Sequence, residues 1–105
     1  MSTRFLWDDN KNNAERMKLL LFGTGDYYRK YIKWFDPENI VALVDNDRSK
    51  TGRTIDGHVV VTPDKAVKLQ FDRIVVLSVH EKEIRSQLIN LGVPDGRIIA
   101  CAQLF

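Results

Sequence analysis

Gly23-Thr24-Gly25 follows the apolar run Leu19-Leu20-Leu21-Phe22 and precedes a segment, Asp26 to Phe35, whose apolar residues recur at helical spacing. A strand, a glycine turn and a helix start in that order present backbone N–H groups at the positive end of a helix dipole. That is chemistry for holding a phosphate. About 20 residues beyond the glycines, Val41-Ala42-Leu43-Val44 ends in Asp45, at the spacing where a carboxylate takes up ribose hydroxyls in dinucleotide sites. Tyr28 stands where G-x-G-x-x-G has its third glycine, the residue that permits close helix–strand packing, so its side chain must push the helix away or point elsewhere. Asp26 suits the helix dipole but repels a pyrophosphate at the same place.

Other residues carry weaker signals. Asp45 also reads as an Asx cap, since Asp45-Asn46-Asp47 is good turn chemistry. If it does meet a ribose, it repels a 2′-phosphate and favours NAD over NADP. Arg48, Lys50 and Arg53 lie just beyond; basic loop residues are usually solvated, although a loop folding back would bring them to the ligand. Arg29 suits either a phosphate or an ion pair with Asp45 or Asp47. Ser78, His80 and Glu81 lie at a strand end, where a histidine and a hydroxyl invite an acid–base reading. The same residues suit a strand end followed by a helix cap, which is the stronger reading. His58 falls at a strand entrance and reads as structural. Two separated histidines make a poor metal site, and the lone Cys101 excludes an internal disulfide and reads as a packing residue. The Tyr-x-x-x-Lys pair of small dehydrogenases and epimerases is absent: Tyr27 lies three residues before Lys30, Tyr28 is followed by Ile32, and Tyr31 by Phe35. Independent catalysis is therefore not expected.

The elements that must position these residues alternate along the chain. Lys18 to Phe22, Ile40 to Val44, His58 to Val61, Arg73 to Val79 and Arg97 to Ala100 read as strands. Asp26 to Phe35, a short segment from Pro63 to about Leu69, and Glu81 to Leu91 read as helices, with Pro37 and Gly92 as stops. Asp45 to Gly57 reads as a polar loop. Strands separated by helices predict an α/β fold, a doubly wound parallel sheet of about five strands. Right-handed crossovers predict the order 3-2-1-4-5, with a ligand crevice outside the carboxyl ends of strands 1 and 4. Residues 1–16 read as a polar N-terminal extension whose apolar cluster is Phe5-Leu6-Trp7, and residues 17–105 as the domain. A net charge of +2, with basic and acidic residues interspersed, gives no basic stripe for nucleic acid. No apolar run approaches a membrane span, and the polar start is no signal peptide, so the cytoplasm is the expected compartment.

Taken together, Gly23-Thr24-Gly25-x-x-x-Arg29, Val44-Asp45-Asn46-Asp47, Lys50-x-Gly52-x-x-Ile55-x-Gly57-x-Val59, Pro63 and the later Glu83-Ile84-x-x-x-Leu88-x-x-Leu91-Gly92-Val93 resemble a small Rossmann-type domain of bacterial surface-polysaccharide enzymes. The domain accompanies nucleotide-sugar dehydratases and epimerases, acyl- and glycosyltransferases, and some methyltransferases. The resemblance covers roughly Met17 to Ala100. It implies a Rossmann-like fold that binds NAD or, alternatively, a nucleotide sugar, as a module with no catalysis of its own. The ligand contacts expected on this basis are Gly23, Thr24, Gly25, Asp26, Tyr27, Asp45, Asn46 and Ser78. The alternative is a domain of the same fold that has lost its ligand, with Tyr28 and Asp26 filling the phosphate site, and serves interaction or assembly. The aromatics Tyr27, Tyr28, Tyr31, Trp34 and Phe35 would then face a second copy or the other domains of a parent enzyme.

Overall fold

A computed structural model describes residues 17–105. The N-terminal extension, Trp7 included, lies outside the described residues. The apolar runs form β1 (Leu19–Phe22), β2 (Ile40–Val44), β4 (His58–Val61), β5 (Arg73–Val76) and β6 (Ile98–Ala100). The helices are α1 (Asp26–Tyr31), α2 (Pro63–Ala66) and α3 (Glu81–Asn90). α1 is shorter than its apolar spacing predicts, tightening into a 3-10 turn over Ile32–Trp34. Pro37 disfavours helical backbone at Asp36, so the helix has to end just before it.

The all-parallel sheet of five strands in the order 3-2-1-4-5 is overturned. A further strand, β3 (Thr54–Ile55), lies inside the segment read as a polar loop and pairs antiparallel with β4 at one edge. The sheet is therefore mixed, with six strands in the order β3-β4-β2-β1-β5-β6. Asp56 and Gly57 link β3 to β4 with φ of 52° and 85°. Left-handed backbone at both central residues makes the two-residue turn whose twist matches a hairpin, and Asp-Gly is among its preferred pairs. The remaining pairs, β4–β2, β2–β1, β1–β5 and β5–β6, are parallel.

Each central strand is buried on both faces, and alternate residues serve two cores. Leu20, Phe22, Ala42, Val44, Ile74 and Val76 pack under α2 and α3 with Ala66, Ile84 and Leu88. Leu19, Leu21, Leu43, Val60, Val75 and Leu77 pack on the opposite face with Tyr28, Phe35 and Cys101. Register aligns Phe22 with Val44 on one side and with Val76 on the other. The loops leaving β1, β2 and β5 therefore emerge side by side, as open α/β sheets require of a ligand crevice.

Tyr28 resolves the missing third glycine. Its ring is 2% exposed in the α1-side core, and its hydroxyl donates to Asp56 Oδ2 at 2.7 Å. The side chain thus points away from the glycine turn and ties α1 to the β3–β4 hairpin. Burial and the neighbouring Asp56 carboxylate push the phenol pKa well above its ordinary value, so the hydroxyl remains a donor. We predict that Tyr28→Phe lowers unfolding free energy by about 1.5–3 kcal/mol in urea, the range for one hydrogen bond to a charged group. Restoring the glycine, Tyr28→Gly, empties the core and costs about 3 kcal/mol or more. A glycine variant as stable as the parent would contradict this packing.

Candidate functional site

The loops after β1, β2 and β5, with the first turns of α1 and α3, enclose an open cleft of about 530 Å³. Its lining brings together all eight residues expected from the sequence: Gly23, Thr24, Gly25, Asp26, Tyr27, Asp45, Asn46 and Ser78. Lys50, His80, Glu83 and Gln87 join them. The volume falls in the range typical of small-molecule sites.

Gly23 makes the turn. It has φ of 113°, and its N–H donates to Val44 O at 2.7 Å, extending the sheet ladder by one bond. A Cβ there would overlap the backbone carbonyl oxygen of Leu77, so only glycine lets the chain leave β1 between its two neighbours. At Gly25 a Cβ would meet nothing within 4 Å. No side chain caps α1, and its first amides have no carbonyl of their own helix to donate to.

Asp45 does not project freely. Its Oδ2 accepts from the Thr24 N–H at 3.0 Å and from the Thr24 hydroxyl at 2.6 Å, while Oδ1 accepts from the Asp47 N–H at 2.9 Å. The Asx-cap geometry is therefore present, and the carboxylate also clamps the glycine turn. Lys50 completes the group: its Nζ donates to Thr24 Oγ1 at 3.2 Å and lies 3.9 Å from Asp45 Oδ2. Thr24 is buried and Lys50 half-buried. Of the three basic loop residues, Lys50 is the one the fold carries into the cleft. A 3-10 turn over Arg48–Lys50, capped by the Asp47 side chain on the Ser49 N–H, returns the chain toward it.

Three further carboxylates line the cleft, Asp26, Asp47 and Glu83. The Ser49 hydroxyl and amide hold the Asp47 carboxyl below its ordinary pKa, so it stays charged at the cleft mouth. Glu83 and Asp26 stand beside it. Asp26 is exposed and paired with Arg29, so that arginine's ion pair is with neither Asp45 nor Asp47, the two carboxylates expected for it. Asn46 forms a reciprocal amide pair with Gln87 of α3. Ser78 Oγ accepts from the His80 N–H at 3.0 Å in a local turn ahead of α3, whose N-cap, His80, makes no side-chain capping bond. His58 hydrogen-bonds Pro37 O away from the cleft. Cys101 is buried, and burial raises its thiol pKa, which leaves it a packing residue. No group of three or more metal-ligating side chains occurs among the described residues, and no described helix is long and apolar enough to cross a membrane.

Glu83 and Gln87 are not marked by the sequence as cleft residues because they are polar positions of α3, each one residue before the buried Ile84 and Leu88. Their four-residue spacing, which places both on one helical face, was the only signal available.

The fold and cleft define a small α/β domain with a mixed sheet and an open crevice over its parallel strand ends. Residues 15–99 match the model of the C2185-like N-terminal family, and the chain belongs to that family. No curated protein matches it.

Two substitutions separate the turn's requirements. Gly23→Ala combines a backbone clash with positive φ and should cost about 3 kcal/mol or more in urea unfolding. Asp45→Ala strands two donors of Thr24 and should cost about 2 kcal/mol without any ligand present. An Asp45→Ala protein of parental stability would show that the clamp holds nothing.

Proposed function

We propose that this domain binds a nucleotide in the cleft above β1, β2 and β5, with NAD first and a nucleotide sugar second, and has no catalysis of its own. One observation carries the reading. The uncapped amides of α1 follow a glycine turn that opens onto a cleft of about 530 Å³, shared with Asp45, Asn46 and Ser78. Backbone donors at a helix start favour a phosphate, and the cleft is long enough to continue past it. The Lys50 ammonium supplies a positive charge within reach of the turn. Asp45, Asp47 and Glu83 oppose further negative charge, which favours NAD over NADP. The sequence resemblance supports a module of surface-polysaccharide or nucleotide-sugar biosynthesis. The matched family's description as N-terminal supports a place beside other domains. The cytoplasm is the compartment this proposal assigns, in line with the expectation from the sequence.

One observation favours the assembly reading instead. Asp45, the residue meant for a ribose, already has both oxygens occupied by the turn and its own loop. A ligand must either take those bonds over or do without them. The version in which Tyr28 and Asp26 fill the phosphate site loses support, since Tyr28 is buried on the far side and Asp26 is turned to Arg29.

A thermal-shift panel with NAD, NADP, CoA, SAM, UDP-sugars and CDP-sugars separates the two. A ligand of the native state at 100 times its dissociation constant adds about 2.7 kcal/mol of stability. We expect NAD to shift the transition more than NADP, and Gly25→Val to abolish the shift by placing a side chain where the phosphate must approach. A flat panel, together with a dimer or larger species on a sizing column, would establish the assembly reading.

A further inference from the structure

Asn46, just past β2, and Gln87, on α3, are 41 residues apart and exchange two hydrogen bonds: Asn46 Nδ2 to Gln87 Oε1 at 3.0 Å and Gln87 Nε2 to Asn46 Oδ1 at 2.9 Å. Asn46 is exposed and Gln87 half-buried. Water competes for such bonds, so the pair contributes little as a fastener. Its placement is more informative. A second cavity of about 700 Å³ adjoins the first, and the linings of both include Asp45, Asn46, Glu83 and Gln87. The amide pair therefore stands between two halves of one groove, with the glycine turn at the far side of the first half.

We propose that Asn46 and Gln87 read the base of the bound nucleotide, and that the base they fit is adenine. The inference rests on the nucleotide reading above and adds to it where the base lies and what selects it. A carboxamide offers one donor beside one acceptor, which is the complement of a nucleobase edge; Asn and Gln bind adenine this way with two bonds each. In the resting pair each amide already presents that edge to the other. A base entering between them replaces two amide–amide bonds with amide–base bonds, so no donor or acceptor is left unsatisfied. Adenine suits two such partners. Its amino group carries two hydrogens flanked by ring acceptors N1 and N7, giving one donor–acceptor edge to each carboxamide. Cytosine has one such edge. Guanine has one free donor–acceptor edge, N1–H with O6; its second, N2–H with N3, lies beside the sugar, and its N7/O6 edge has no donor, while uracil has a single N–H to share.

The test is calorimetric titration of the full chain with ADP, GDP, CDP and UDP, on the parent and on Asn46→Ala, Gln87→Ala and Asn46→Asp, each checked for folding by urea denaturation. The parent should bind ADP about fivefold or more tightly than the other three, the lower bound for one good two-bond base contact. Either alanine variant should level the four affinities while keeping the binding common to all diphosphates. Asn46→Asp, which exchanges a donor for an acceptor, should weaken ADP most. A base preference that survives both alanine variants, or one led by another base, would overturn the assignment and leave nucleotide binding intact. No binding of any of the four would overturn both.

Discussion

Everything at the carboxyl edge of this sheet depends on there being no side chain at Gly23. Its backbone lies against the carbonyl of Leu77 with φ of 113°, and its N–H closes on Val44 O. β1 is thereby tied to β2 and packed against the β5 exit within one residue of its own end. The loops that follow inherit this closeness: Thr24 reaches Asp45, and Ser78 faces the turn across the cleft. A methyl group would separate these strands at the point where they must converge, and the cleft would lose one wall.

Charge is balanced locally around that turn. The Asp45 carboxylate is met by two donors of Thr24 and by the ammonium of Lys50, so a half-buried anion is compensated without a ligand. The arrangement makes the turn rigid before anything binds, which reduces the ordering cost of binding. It also ties the Asp45 carboxylate to the backbone of the glycine turn, so a group meeting one would be felt by the other. Tyr28 performs a parallel task on the opposite face, linking α1 to the β3–β4 hairpin through Asp56.

The sequence is legible where burial is symmetrical and local. β1, β2 and β5 are packed on both faces and read as unbroken apolar runs, which marks them without reference to any partner. Thr54-Ile55 is not legible in that way. It is two residues long, and only the Asp56-Gly57 turn announces it, a pair that serves equally well inside a loop. That short hairpin is what turns an expected parallel sheet into a mixed one. Candidate residues close to the glycine turn in sequence were found through its motif. Lys50 reads only as one of three basic loop residues that a returning loop could bring in, and Glu83 and Gln87 not at all, because they reach the cleft through a 3-10 turn and through polar positions of a helix. Such positions are set by tertiary geometry and have no periodic signature of their own. Tyr28 was recognised as an exception to the glycine pattern, but only packing shows which way it points.

In the proposed site a nucleotide phosphate rests on the backbone of the glycine turn and the start of α1. Amide NMR titration of ¹⁵N-labelled protein with NAD tests this directly. Saturable shifts are expected at Gly25, Asp26 and Tyr27, with Thr24 and Lys50 perturbed as their shared contacts rearrange. Unmoved turn amides at saturating NAD, or shifts confined to the aromatic face of α1, would contradict it.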